Sequence, residues 1–372
     1  MAGVACSIPP AHPTPPDRVA IAVSERYERG THLVAIDERG DRILELIRAP
    51  DSVSRDSQPA ISPDGRWIVF ASSRTRPLDR TSLWIAPLEP EAVPALLTDG
   101  SGIDPTPHSL NGSAANPGAA GVIDGYPAWK RDGSAVIFAS TRRGSGFDLY
   151  ELAIDNRGHS VGRPRALTSD PGHEVAPSVA ADGTIVYNAV RLTADGKVDS
   201  RLEALSTNGA IVRLTPGPGD TSGALSPDGT AIAFARPVAR ASAVDSPPTA
   251  GVIDSDLWLA TATGGSMRHL VDIPLTDESG PVWSLDGRFV FATSVLRGAL
   301  GDAVFSAVIV VDVTAPHPVA RILVDRTGPV ARLTPAVIAR ALDPEALNRN
   351  PEYLAEIARI TAAAIVASSK LE

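Results

Sequence analysis

Residues 62–74 read Ser-Pro-Asp-Gly-Arg-Trp-Ile-Val-Phe-Ala-Ser-Ser-Arg, and this stretch decides the fold. Asp64-Gly65 stands between two apolar runs, which is a strong signal for a β-hairpin because tight two-residue turns need a positive φ. The run that begins at Trp67 is therefore predicted to be the second strand of a hairpin. A related copy, Ser-Pro-Asp-Gly-Thr-Ala-Ile-Ala-Phe-Ala, occupies residues 226–235, so the chain repeats this unit.

Five segments share one frame, in which an acid is followed three residues later by proline or glycine and then, at constant spacing, by Asp-Gly. The acids of these segments are Asp56, Asp124, Glu174, Asp220 and Glu278. Three further β-rich runs follow each Asp-Gly. Four antiparallel strands in a repeat of about 40–50 residues is the size of a propeller blade.

The two ends of the repeat region are predicted to form one more unit together. Residues 19–23, 32–37 and 42–47 have the pattern of strands two to four, without a first strand before them. Residues 326–331 have the form of a first strand, with Arg326 where the acid would be. We therefore expect an all-β, six-bladed propeller over residues 19–333, with four-stranded antiparallel blades. A C-terminal strand that joins the N-terminal three would close the ring and remove its exposed edges.

Two flanking segments lie outside this propeller. Residues 1–18 are rich in proline and are expected to form a tether, and residues 334–372 are expected to be a short helical tail. Thr334-Pro335 predicts a helix start, because threonine caps helices and proline is favoured at the first helical position. The apolar stripe of the tail predicts packing on the protein's own surface, with a docking helix for a partner as the alternative.

The runs at 62–74 and 226–235 resemble the repeat of TolB-like propellers, which are also called WD40-like or PD40 repeats. The resemblance covers about residues 19–331. Two repeats depart from it, since Asp182-Gly183 lacks the preceding Ser-Pro and Asp132-Gly133 has Lys130-Arg131 there. The resemblance implies the six-bladed fold and places the first strand of each blade nearest the axis. It says little about activity, because one fold hosts many functions.

The repeated acid is the main candidate for a functional feature. By this resemblance, five carboxylates would surround one mouth of the central channel, with Arg326 at the sixth position. Such a ring attracts cations or a basic peptide, and calcium would suit oxygen ligands, first of all those of Asp124 and Glu174. The alternative is that each acid caps its own loop or pairs with an arginine of the neighbouring blade. Candidate arginines recur at one position after the second strand, namely Arg26, Arg74, Arg142 and Arg191.

Histidines and long loops offer a second candidate site. His108 lies in a long insertion at residues 99–125, and His173 stands beside Glu174; both could face the channel mouth. Lyases with related propellers use histidines there. No Gly-x-Ser-x-Gly elbow of a hydrolase domain is present. Two hypotheses remain open: a non-enzymatic module that binds a protein or peptide partner, and a lyase or hydrolase acting on a sugar or acidic substrate at the axis.

Composition limits the partners. The net charge is −9 and basic residues are scattered, so nucleic-acid binding is not expected. The apolar stretches are shorter than the about 20 residues that a membrane span needs. The single cysteine, Cys6, follows small residues and precedes the proline-rich stretch, as in a bacterial lipoprotein. This context predicts a location in the periplasm or outside the cell. We also expect the protein to be a monomer. The more specific hypothesis is an outer-membrane lipoprotein whose signal segment is not part of this sequence, with an incidental cysteine as the alternative.

Overall fold

A computed structural model describes residues 21–27, 30–37, 40, 42–48, 54–75, 80–89, 91–99, 121–144, 146–238, 254–273, 276–297, 303–323 and 332–337. This part of the chain consists of strands and their connections, with no helix among them. The strands are β1 (Ile21–Tyr27), β2 (Gly30–Ile36), β3 (Arg42–Glu45), β4 (Asp56–Ile61), β5 (Trp67–Ser72), β6 (Ser82–Pro87), β7 (Ala95–Leu96), β8 (Asp124–Trp129), β9 (Ala135–Ser140), β10 (Asp148–Ile154), β11 (Ser160–Ala166), β12 (His173–Val179), β13 (Ile185–Leu192), β14 (Val198–Leu205), β15 (Ile211–Arg213), β16 (Thr221–Leu225), β17 (Ala231–Val238), β18 (Asp254–Thr261), β19 (Arg268–Val271), β20 (Thr276–Trp283), β21 (Phe289–Arg297), β22 (Ala303–Asp312), β23 (Ala320–Leu323) and β24 (Arg332–Val337).

The predicted Asp-Gly hairpins are present. In each repeat, the strand before Asp-Gly pairs antiparallel with the strand after it, as β4 pairs with β5 and β8 with β9. The glycines of these turns have positive φ, 70° at Gly65 and 71° at Gly133, which glycine adopts without steric cost. The local turn chemistry therefore sets the register of each repeat.

The strands form four separate four-stranded sheets and one eight-stranded sheet. The four-stranded sheets have the orders β24-β1-β2-β3, β4-β5-β6-β7, β11-β10-β9-β8 and β12-β13-β14-β15. Strands β16 to β23 form the eight-stranded sheet, in which β18 and β20 are joined by one parallel pair, Ser255 with Asp277. The expected six separate sheets are thus corrected to five, because this bridge fuses two antiparallel groups.

The hydrophobic core lies between neighbouring groups of strands. Strand β5 shows how: Ile68 and Phe70 pack against β1 and β2, whereas Val69 and Ala71 pack against β9 and β10. Successive residues of a strand point to opposite faces, so a strand that is buried on both faces is a continuous apolar run. Similar clusters join every group of strands to the next, including the last to the first.

The first strands of the groups contact one another in a closed cycle. Their order is β24, β4, β8, β12, β16, β20 and again β24, and we call them the inner strands. Together with the core clusters between the groups, this cycle identifies the molecule as an all-β propeller of four-stranded antiparallel sheets.

The closing strand lies further along the chain than the sequence predicted. Strand β24 pairs antiparallel with β1, so a C-terminal strand does join the N-terminal three. It contains Thr334 and Pro335, and the helix predicted to start there is therefore wrong. Arg332-Leu333-Thr334-Pro335 repeats the acid-x-x-Pro frame of the other inner strands, with arginine in the acid's place. Proline is tolerated there because an inner strand is the edge of its sheet.

Several predictions lie outside the described residues. They are the tether at residues 1–18 with Cys6, most of the loop at residues 99–125 with His108, the strand at residues 326–331 with Arg326, and the tail beyond residue 337. Within the described ranges, no helix is long and apolar enough to cross a membrane.

Candidate functional site

The five repeated acids all lie at or next to the starts of inner strands, and all are buried. Their relative exposure is 1% or less; they are Asp56, Asp124, Glu174, Asp220 and Glu278. A buried carboxylate is costly unless an opposite charge or hydrogen bonds compensate it. The partners of each acid therefore decide what this region can do.

Asp56 and Asp124 are fully paired with arginines. Arg74 donates from Nε to Asp56 Oδ1 at 3.0 Å and from Nη2 to Oδ2. Arg142 Nη2 donates to both oxygens of Asp124, at 2.7 and 2.8 Å. Each arginine follows the second strand of the acid's own sheet. The sequence-based alternative of ion pairing holds for these acids, but its placement of the arginine in the neighbouring blade is wrong.

Asp220 and Glu174 are also paired, but Glu174 only weakly. Arg236 Nε donates to Asp220 Oδ1 at 2.6 Å. Arg191 Nη2 lies 3.6 Å from Glu174 Oε1 and is shared with Asp170 and Glu203. Burial, and then the carboxylate of Asp148, raise the pKa of Glu174 to about 7. The long contact with the shared arginine does not offset these two effects.

Glu278 differs from the other four acids. The hydroxyls of Thr276 and Ser294 donate to its Oε1 at 2.5 and 2.9 Å, and its Oε2 has no hydrogen-bond partner. Burial is the main cause that raises the pKa of Glu278 to about 9, and the carboxylates of Asp254 and Asp256 add to it. Glu278 is thus a buried acid without a balancing cation among the described side chains.

The sixth inner strand reverses the pattern. Arg332 is 1% exposed, donates from Nε to Glu25 Oε2 at 3.1 Å, and also donates to the backbone oxygen of Gly40. Strand β24 therefore carries the cation, and its neighbour β1 the acid. Arg332, not the predicted Arg326, occupies the sixth position of the ring.

A second ring of residues lies two positions after the acids and Arg332. All have positive φ, from 52° to 59° in the five strands with acids and 50° in β24, and all are at least partly exposed. We call this set the axial ring; its members are Gln58, Tyr126, Ala176, Ser222, Gly280 and Thr334. A non-glycine residue with positive φ costs about 1–3 kcal/mol and persists only where the surroundings enforce it.

Side chains of the axial ring link neighbouring inner strands. The backbone N–H of Gln58 donates to Thr334 Oγ1 at 3.2 Å, and the N–H of Tyr126 donates to Gln58 Oε1 at 2.7 Å. Tyr126 is 38% exposed, although large aromatic side chains are usually more buried. None of the six residues carries a charge at neutral pH. The axial ring thus offers uncharged hydrogen-bonding groups and one aromatic ring on a rigid backbone.

The sequence did not indicate the axial ring. Its residue types differ from strand to strand, so they form no motif. The usable signal was their constant place between the acid and the proline or glycine that follows it. Repeated placement in an inner strand, more than residue type, identifies such a ring.

The remaining candidate residues do not converge on one site. His173 is exposed, and its Nδ1 accepts a hydrogen bond from the N–H of Phe147 at 3.3 Å. Among the described residues, the side chains that come close enough to hold a metal ion are Asp254, Asp256 and Glu278. The calcium ligands predicted from the sequence, Asp124 and Glu174, are not among them.

The pH dependence of stability tests the burial of Glu174. Its pKa rises on folding from 4.5 to about 7, and burial raises that of Asp148 from 3.8 to about 6. Both carboxyls bind protons more tightly in the folded chain, so the stability they contribute is full below pH 4 and is lost as the pH rises towards 7. One pKa unit corresponds to about 1.4 kcal/mol. Between pH 5 and 8, Glu174→Gln should therefore gain about 2–3 kcal/mol of unfolding free energy relative to the parent protein in urea titrations.

The control is Asp195→Asn, which removes an acid that is 58% exposed in a hairpin. This variant should follow the parent protein between pH 5 and 8, because folding lowers the pKa of Asp195 and the carboxyl is ionised throughout that range. If Glu174→Gln also followed the parent protein, the carboxyl would titrate in the folded chain as it does in the unfolded one.

Solved structures of TolB proteins have a similar fold. TolB from Acinetobacter baumannii matches with a TM-score of 0.58 at 18% identity, over 87% of this chain and 67% of that chain. A putative TolB from Agrobacterium tumefaciens matches with a TM-score of 0.52 at 17% identity, over 82% and 88%. The present chain therefore has a TolB-like β-propeller fold.

The same architecture occurs in a protein of a different kind. Hydrazine synthase from Kuenenia stuttgartiensis matches with a TM-score of 0.57 at 12% identity, over 87% of this chain and 47% of that chain. At such identities the likeness concerns the fold alone. No protein-family model and no curated protein matches the sequence.

Proposed function

We propose that this chain is a non-enzymatic binding module of the bacterial cell envelope, which recognises a protein or peptide segment at the axial ring of a six-bladed propeller. The observation that carries this proposal is the axial ring itself. It combines exposed hydrogen-bonding side chains with an enforced backbone geometry. The likeness to TolB proteins supports the envelope location. A lipid anchor on Cys6 stays a prediction from the sequence.

Six blades account for the strand contacts better than five sheets do. The eight-stranded sheet is held together at β18 and β20 by one parallel pair of residues, whereas the strands on either side pair antiparallel over many residues. We therefore take β16–β19 and β20–β23 as two blades that touch. With them, each inner strand belongs to its own blade, and the six inner strands surround one axis.

The chemistry of the ring favours binding. Arginines donate hydrogen bonds to three of the five acids, and all five acids are buried, so none of them presents an exposed carboxylate to a substrate. Tyr126 has the rigid, amphipathic side chain that is enriched at protein interfaces. The side-chain NH2 group of Gln58 and the hydroxyl groups of Ser222 and Thr334 can donate hydrogen bonds to the backbone carbonyls of an extended segment. A partner would be bound by one aromatic anchor surrounded by hydrogen bonds.

The alternative of an enzyme has less support. The hydroxyl of Tyr187 is fully buried and donates to Glu203 at 3.0 Å, and Arg191 is shared among acids. Among the predicted catalytic candidates, His173 is described, and it contacts Phe147, not another titratable group. A lyase or hydrolase would need a convergent acid–base set, and these contacts do not supply one.

Tyr126→Gly tests the proposal without endangering the fold. Glycine relaxes the positive φ of 52°, so the variant should fold at least as well as the parent protein while losing the aromatic anchor. Recovery of envelope proteins on the immobilised variant should fall at least about tenfold, which corresponds to about 1.4 kcal/mol. Quantitative mass spectrometry of the captured proteins measures this.

The matched control is Ala176→Gly, which makes the same backbone change at φ 52° but removes a single methyl group. It should retain the partner. Equal recovery with Tyr126→Gly and the parent protein would exclude the axial ring as the binding site. Capture of the same proteins by an unrelated propeller would refute specific binding altogether.

A further inference from the structure

The blade of β20 lacks the arginine that balances the acid in other blades. In three sheets this arginine stands two residues beyond the strand residue that pairs with the acid, as Arg74 stands beyond Ser72 and Arg142 beyond Ser140. In the blade of β20, Glu278 pairs with Ser294, and the corresponding residue is Leu296, which is buried. An uncharged side chain therefore occupies the place of the cation.

Glu278 itself shows that a partner is needed. It is 0% exposed, and its Oε2 is buried without a hydrogen-bond partner, while both available hydroxyls donate to Oε1. A buried polar atom left unsatisfied costs about 1–3 kcal/mol, and more when the group is charged. The carboxylate thus has one oxygen available as a ligand atom.

Two further carboxylates lie against Glu278. The parallel pair of Ser255 with Asp277 brings the start of β18 beside the start of β20. Asp254 and Asp256 flank this pair and are 5% and 2% exposed. One oxygen of each of the three carboxylates lies within 4.8 Å of the others. Three buried carboxylates therefore meet at one place between β18 and β20.

We infer that Asp254, Asp256 and Glu278 bind a divalent cation, Ca²⁺, between β18 and β20. Oxygen ligands at 2.3–2.6 Å from the ion are typical of Ca²⁺, and oxygens within 4.8 Å of one another can surround such an ion. The Oε2 atom of Glu278, which has no hydrogen-bond partner, would coordinate the ion. The ion replaces the arginine of the other blades and holds two neighbouring blades together.

This site differs from the calcium site predicted at Asp124 and Glu174, since Arg142 binds both oxygens of Asp124, and Glu174 is not grouped with two further acids within ligand distance among the described residues. Its neighbourhood also contains His269, whose Nε2 lies 2.7 Å from Asp256 Oδ2. The inference does not depend on the proposed partner binding, because the site lies between strands and not on the axial ring.

The test is calorimetric titration of the whole chain with CaCl2 after removal of metals with EDTA and dialysis. We expect saturable binding of one Ca²⁺ and a rise in Tm that depends on its concentration. Glu278→Gln should lower the affinity at least tenfold. The control is Asp195→Asn, which removes the same charge from an exposed hairpin and should bind as the parent protein does.

A second variant keeps the test decisive if Glu278→Gln folds poorly. Leu296→Arg restores the arginine found in the other blades and should abolish Ca²⁺ binding while raising Tm in EDTA above that of the parent protein. Absence of saturable binding by the parent protein up to about 10 mM Ca²⁺ would overturn the inference, since weak extracellular sites bind at 10⁻⁴–10⁻³ M. Undiminished binding by Glu278→Gln would overturn it as well, and so would tighter binding of Mg²⁺ than of Ca²⁺.

Discussion

Arg142→Met is expected to lower the free energy of unfolding by about 3–5 kcal/mol. Asp124 is 0% exposed, and both of its oxygens accept hydrogen bonds from Arg142 Nη2. Methionine keeps an apolar side chain near Phe138 and Tyr150, which the guanidinium contacts at 5.2 and 5.1 Å from the ring centres. The lost unfolding free energy is therefore due to the buried Asp124 carboxylate, which no longer has a cationic partner. Urea or guanidinium titration measures this free energy.

Two companion variants separate this effect from a general loss of charge. Arg66→Met breaks an ion pair with Asp64 in which the side chains are 59% and 45% exposed, and it should cost less than about 1 kcal/mol. Asp124→Leu combined with Arg142→Met removes both buried charges and should recover most of the loss. If Arg142→Met cost no more than Arg66→Met, the buried pair would not stabilise the fold.

The parts of the fold that depend on local chemistry could be predicted from the sequence. Asp-Gly turns fix each hairpin within a few residues, because the turn needs positive φ whatever the rest of the chain does. The apolar run from Trp67 to Ala71 is long enough to form a strand buried on both faces. The recurrence of these signals at one spacing then predicted the blade, and neighbouring inner strands contact one another in the cycle that a propeller requires.

The closing strand could not be predicted, because its local signals are ambiguous. Thr334-Pro335 satisfies the start of a helix as well as the proline position of an inner strand. Pairing with β1 decides that this segment is a strand and not a helix. The two strands are far apart in the sequence: Glu25 and Arg332, which are in contact, are separated by 307 residues. A short stretch of sequence around Thr334 does not contain β1. A pattern within that stretch therefore favours a helix over the strand that forms.

The candidate site, too, could be predicted only in part. The acids were found because their spacing repeats, but their partners depend on how second strands align with first strands. Such an alignment places Arg74 and Arg142 at one position and Leu296 at the same position in another blade. Sequence periodicity therefore locates a charged position. The register between strands decides whether that position is a closed ion pair or a place for a cation.

Arg332→Glu is expected to destabilise the closure of the ring by at least about 3 kcal/mol, because it faces the buried Glu25 with a like charge. The exchange should lower the denaturation midpoint. It should also remove the hydrogen-exchange protection of the β1 amides that pair with β24. Among the described residues, β24 is the one C-terminal strand that forms ladder hydrogen bonds with the sheet of β1, β2 and β3. Denaturant titration and native-state hydrogen exchange measure the two effects.

The double exchange Glu25→Arg with Arg332→Glu restores opposite charges across the same contact and provides the control. It should be more stable than Arg332→Glu alone by about 1–3 kcal/mol, the range of coupling energies between residues in direct contact. His32 lies 3.9 Å from Glu25 Oε1 and would face the introduced arginine, so full recovery is not expected. Additive effects of the two exchanges would mean that the ion pair does not hold β24 to β1. Pairing of the two strands would then rest on their backbone hydrogen bonds and on the apolar contacts of Ala22 and Ala336.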